Sequence, residues 1–111
     1  MAQDFERTLT KDIGASATDI RAEANSDDAI VGLRLANTAS STINVDVLIT
    51  NSSNTTLATI IKSCPIPQGS SLELIDGGAK IVLQSGDKLR AVSDTASSLD
   101  VIVSAVDTIS E

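Results

Sequence analysis

Residues 65–90 read Pro65-Ile66-Pro67-Gln68-Gly69-Ser70-Ser71-Leu72-Glu73-Leu74-Ile75-Asp76-Gly77-Gly78-Ala79-Lys80-Ile81-Val82-Leu83-Gln84-Ser85-Gly86-Asp87-Lys88-Leu89-Arg90, and their punctuation decides the fold. Two short apolar runs, 72–75 and 80–83, flank Asp76-Gly77-Gly78, and Gln84-Ser85-Gly86-Asp87 opens a third run. Glycine takes positive φ at no steric cost and Asp tolerates it, so such clusters mark tight turns. The stretch predicts a β-meander over 71–75, 79–83 and 88–93. Ahead of it, Pro65 and Pro67 cannot donate to a ladder. Residues 64–67 therefore break the ladder, at an edge or at a crossing between sheets.

The rest of the chain alternates in the same way. Ile43, Val45, Val47 and Ile49 form one face of 42–51, against Thr42, Asn44, Asp46, Leu48 and Thr50. Four branched aliphatics at period two define a strand. A polar loop, 51–55, leads to a returning strand over 56–62. That strand is apolar on both sides, through Leu57 and Ile61 and through Ala58 and Ile60, which predicts cover on both faces. Residues 29–37 place Val31, Leu33 and Leu35 on one face. In 99–108, Leu99, Val101, Val103 and Ala105 point inward, and Ile102 and Val106 stand where a polar face belongs. Residues 16–24 form a short strand with Ile20 inward, a helix being the competitor. Residues 25–28, with Asp27-Asp28, read as a turn. Phe5, Leu9 and Ile13 recur every four residues among β-favouring Thr8 and Thr10, which predicts an extended arm or edge strand over 4–12.

About eight short strands, spaced at roughly 8–12 residues, make this an all-β chain. The expected architecture is a single-domain antiparallel β-sandwich, jelly-roll-like, over 15–111, with an N-terminal arm or edge strand over 1–14. At 111 residues one domain is expected. Phe5 is the sole aromatic, so the core must be Val, Ile, Leu and Ala. The same scarcity argues against stacking recognition of sugars or bases. A net charge of −7 disfavours nucleic acid and anionic membranes as partners. No signal peptide opens the chain and no run approaches the roughly 18 apolar residues of a membrane-spanning helix, so synthesis in a cytoplasm is expected.

With no His and no Tyr, the common general bases are missing. Asp27-Asp28 lacks further carboxylates at calcium-loop spacing, and no Gly-Lys-Ser/Thr follows the glycines. No catalytic residue, metal site or cofactor is therefore read, and the protein is expected not to be an enzyme. Cys64 stands alone, so it forms no intrachain disulfide; a small buried apolar role is expected. Leu48, Ile60, Ile102 and Val106 lie on faces that a free monomer would solvate. Burial by a partner and internal cover by the arm or a loop both account for them. With Phe5, Leu9 and Ile13 of the arm they are the candidate interface residues.

From about residue 15 the chain resembles small virion structural proteins of tailed phages. The resemblance lies in Ala29-Ile-Val-Gly-Leu-Arg-Leu-Ala-Asn37, Ile43-Asn-Val-Asp-Val47, Pro65-Ile-Pro-Gln-Gly-Ser-Ser-Leu72, Lys80-Ile-Val-Leu83, Ser85-Gly-Asp-Lys-Leu89 and Val101-Ile-Val-Ser104. It implies a non-enzymatic β-sandwich of the virion. The expected role is a head decoration protein that binds the major capsid protein lattice as a homo-oligomer, for instance a trimer. A neck or tail component, and a receptor- or glycan-binding sandwich at a tail tip, are the alternatives. The far-ultraviolet circular dichroism spectrum is expected to be that of a β protein; a mainly helical spectrum would contradict this reading.

Overall fold

The computed structural model describes residues 4–21, 27–75 and 81–107. They form nine strands: β1 (Asp4–Ile13), β2 (Thr18–Arg21), β3 (Asp28–Asn37), β4 (Ile43–Thr50), β5 (Thr56–Ile66), β6 (Ser71–Glu73), β7 (Ile81–Leu83), β8 (Lys88–Ser93) and β9 (Leu99–Asp107). Two antiparallel sheets result. Sheet A has the order β1-β9-β3, with β6 and β7 both paired to the far side of β3; sheet B has the order β2-β8-β4-β5. When β6 and β7 are taken as one interrupted strand, this is the eight-strand connectivity of a jelly roll. The expected sandwich is present, and residues 4–13 form its edge strand, paired along β9 from Asp4↔Asp107 to Ile13↔Leu99.

The interior follows most of the period-two stripes, with Ile30 in the place expected for Val31 and Ile49 only partly buried. Ile30, Leu33 and Leu35 of β3 and Leu99, Val101, Val103 and Ala105 of β9 are buried. Facing them are Ile43, Val45 and Val47 of β4, Leu89 and Ala91 of β8, and Ile20 of β2. With no aromatic to fill space, branched aliphatics from both sheets supply the whole layer.

The meander is not found. Leu72 pairs with Leu35 and Val82 with Ala29, so β6 and β7 run in the same direction along β3. They cannot be the two arms of a hairpin. The Asp76-Gly77-Gly78 turn itself lies outside the described residues. Where β6 stops, Glu73 continues the ladder with its side chain: its carboxylate accepts from the Leu33 amide at 2.8 Å and the Ile75 amide at 3.3 Å. The second turn is as read. The Asp87 amide donates to the Gln84 carbonyl at 2.9 Å, the Asp87 carboxylate accepts from the Gln84 amide, and Gly86 has φ 92°. That turn carries the chain from sheet A into sheet B.

Three further expectations are corrected by bulges, which insert a residue and invert the alternation beyond it. On β3, Ile30 pairs Ala105 and Gly32 pairs Ser104, so Val31 is the extra residue and Ile30 takes the inward place. On β1, Asp12 has φ 59°, and its bulge turns Ile13 into the core. On β5, ten steps from Thr56 to Ile66 match seven along β4, so three residues bulge out. One bulge is Ser63 (φ 51°), whose amide donates to the Asp46 carboxylate at 2.7 Å. β5 is thus a twisted edge strand with Leu57 exposed, not a strand covered on both faces. Its ladder runs on through Pro65↔Asn44 to Ile66, and Pro67-to-Ser70 makes the crossing to sheet A. Cys64 is half-buried on this edge rather than enclosed. Asp28 is a buried strand residue and not part of a turn.

Polar residues close the end of the sandwich near Asn37. Buried Asn37 donates to the Ser41 and Ile66 carbonyls at 2.9 and 2.8 Å and accepts from the Ala39 amide at 2.8 Å. Replacing Asn37 by Leu should lower the unfolding free energy by about 2–4 kcal/mol, since each buried group left without a partner costs about 1–3 kcal/mol. Urea unfolding at constant m-value is the check.

Candidate functional site

The sheet registers place four of the candidate residues on one surface. In β1 and β9 the side chains that do not enter the core point out of sheet A. Phe5 lies opposite Val106 and Leu9 opposite Ile102. Val106 in turn lies opposite Ala29, and Ala29 opposite Val82. Phe5, Val106, Ala29 and Val82 therefore make one apolar row across the whole sheet. A second row runs Leu9, Ile102, Arg34 and Glu73. Phe5 is 86% exposed, Leu9 58%, Val82 54% and Ile102 45%. Between Leu9, Ala36, Asp100 and Ile102 the surface dips into a groove of about 330 Å³.

The other candidates separate from this surface. Ile13 is 2% exposed and belongs to the core. Leu48 lies on sheet B between Arg90 and Thr59, and Ile60 is a partly buried bulge residue of β5 packed on the core. Sequence alternation did not reveal Val82 and Ala29 as members of the apolar row. Their signal was present in Ile81-Val82-Leu83, where the middle residue must face away from its neighbours, but the partner strand was misassigned.

The titratable clusters elsewhere bind the fold together. Arg21 of β2, with a side chain 12% exposed, donates to Asp28 of β3 and Glu6 of β1, both at 3.0 Å. Burial works against the guanidinium charge, but hydrogen bonds and charge attraction from Asp28 and Glu6 outweigh it and raise the Arg21 pKa above its ordinary value. An arginine so held stays charged and clamps sheet B to two strands of sheet A. A polar hollow of about 170 Å³ is lined by Asn44, Asp46, Ser63 and Asp94. Its carboxylates are engaged: Asp46 with Lys62 at 3.2 Å and the Ser63 amide, Asp94 with the backbone and side-chain amides of Asn44 at 3.2 and 3.0 Å. Among the described residues no three His, Cys, Asp or Glu side chains are placed to hold a metal ion.

No family model matches this chain, and no curated protein matches it. Solved structures share the fold. A protein of Bacillus endospore appendages, which form a family of disulfide-linked pili, is 17% identical with a TM-score of 0.58; the match covers 98% of this chain and 88% of that one. A chain of infectious bursal disease virus, Gx strain, is 12% identical with a TM-score of 0.50; the match covers 99% of this chain but 32% of that one. Neither comes from a tailed phage.

The Asp94 pKa is lowered by the Asn44 backbone amide, then by the Asn44 side chain and the Thr95 hydroxyl. A depressed native pKa contributes stability above the unfolded value, about 3.9, and that contribution is lost as pH falls through the native value. Asp94→Asn should therefore flatten the loss of stability below about pH 4 and leave its pH dependence near neutrality unchanged, as read by thermal midpoints across acid pH.

Proposed function

We propose that this protein is a non-enzymatic structural subunit that acts by being bound in many copies within a virion or extracellular assembly. The observation that carries this reading is the exposed apolar row across sheet A, from Phe5 through Val106 and Ala29 to Val82. Contiguous apolar surface of this kind is normally covered by a partner. The fold supports the reading through its likeness to a pilus protein and to a virus protein.

Within that class, the sequence resemblance favours a decoration protein on the head of a tailed phage, docked on the major capsid protein lattice. Each copy would contribute a modest apolar contact, and the repeated lattice would multiply it. The acidic remainder of the surface, within a net charge of −7, would keep decorated particles apart. A fibre, neck or tail subunit is the second reading, favoured by the near full-length match to the appendage protein. Glycan recognition at a tail tip is disfavoured, because a lone Phe5 offers no stacking platform.

Gold-labelled antibody against this chain, applied to particles from a lysate of cells carrying its gene, should decorate the head faces at many sites. Label confined to one vertex or to a filament selects the second reading. Its absence from every particle and filament overturns the structural proposal.

A further inference from the structure

The outward face of sheet A has a cross-section that two copies of this chain can share. Its β1 column is tall: Phe5, Arg7, Leu9 and Lys11 all project outward and are exposed. The β9 column is intermediate, with Asp100, Ile102, Ser104 and Val106. The β3 column is lower, because Ala29, Gly32 and Ala36 lie on the same side, with Arg34 and the bulged Val31 as the larger exceptions. Gly32 is confirmed on this face by its neighbour: a Cβ there would stand 3.4 Å from the Ser104 side chain. A ridge along β1 thus runs beside a trough along β3, with β9 between them.

We propose that a second copy of this chain docks here, about a two-fold axis that runs parallel to β9, midway between the facing A sheets of the two copies. This rotation places the β1 ridge of each copy over the β3 trough of the other. Phe5 enters above Ala29, and Arg7 above Gly32. Ile102 and Val106 meet their own counterparts at the centre, as a two-fold contact requires. The alternative two-fold, across the strands, sets β1 on β1; it stacks tall on tall and Arg7 on Arg7.

Charge favours the same occupant. The chain carries −7 overall, so two copies repel across most surfaces. This face carries Arg7, Lys11 and Arg34 against Asp100 and Glu73, and lacks that excess of acid. In the docked pair, Lys11 over the Ala36 side lies beside the second copy's Asp100. The size also fits. The docked pair overlaps over three strands, β1, β9 and β3, and four same-face rows, roughly 15 by 25 Å; this lies at the small end of specific contacts, as a weak, concentration-dependent pair requires.

This deepens the proposal above and rests on its premise that the face is a docking surface. Solution mass tests the pairing and particle labelling tests the structural role, so either can fail alone. Sedimentation of the purified chain over about 1–100 µM is expected to show a monomer–dimer equilibrium. Phe5→Ala, at an exposed position, should weaken dimerisation at least tenfold without changing the circular dichroism spectrum, because it empties the space above Ala29. Ala29→Phe alone should also weaken it by crowding. The double variant Phe5→Ala/Ala29→Phe moves the ring from ridge to trough and should restore the dimer. A monomer at every concentration, a trimer, or a dimer indifferent to Phe5→Ala overturns the proposal. Failure of the double variant to recover overturns the β1-over-β3 arrangement. Loss of particle labelling in Phe5→Ala, with the free chain always monomeric, assigns the face to a different partner and overturns the second copy.

Discussion

The ladder between β3 and β9 fixes the rest of the structure. From Ala29↔Val106 to Asn37↔Leu99 the two strands form the middle of sheet A. Their register decides which aliphatics enter the interior and which stay outside. Inside, Leu33, Leu35, Val101 and Val103 meet the Ile43, Val45 and Val47 layer of sheet B. Outside, the same register aligns Phe5, Val106, Ala29 and Val82 from four different strands. The core and the outer apolar row are thus two sides of one pairing. A chain nearly free of aromatics must pack its core with branched aliphatics, so it has little slack with which to alter that register.

What could be read from the sequence was the periodicity. Leu99, Val101, Val103 and Ala105 lie inward as their spacing requires, as do Leu89 and Ala91. What could not be read was where the period slips. A bulge needs one extra residue on one strand only, and nothing local in Ile30-Val31-Gly32 announces it. The positive φ at Asp12 and Ser63 likewise falls on residues with no strong demand for it. Each slip moved a side chain across the sheet, Ile13 inward and Val31 outward among them.

Long-range pairing was the second thing hidden. Gly77-Gly78 looked like the tip of a hairpin, but β6 and β7 are consecutive pieces of one edge, both laid on β3. Partner choice in a sheet depends on which strand offers a free edge and a matching apolar face, and that information lies far away in sequence, as in Leu35 opposite Leu72 and Ala29 opposite Val82. Two members of the exposed row, Ala29 and Val82, were missed for this reason. Ile102 and Val106 were found because each stood out against its own strand's alternation, and Phe5 and Leu9 because their recurrence places them on one side of the first strand. The edges are also treated differently. β5 is twisted by three bulges and β6–β7 is broken, both devices that discourage pairing with another chain. The broad face of sheet A carries no comparable protection.

The most direct test of this arrangement is a set of backbone nuclear Overhauser contacts across sheet A in the free protein. The account predicts contacts between Val82 and Ala29 and between Leu72 and Leu35, with Val106 in contact with both Ala29 and Phe5. Contacts between 72–75 and 80–83, as the two arms of a hairpin, would contradict it and dissolve the apolar row on which the functional reading stands.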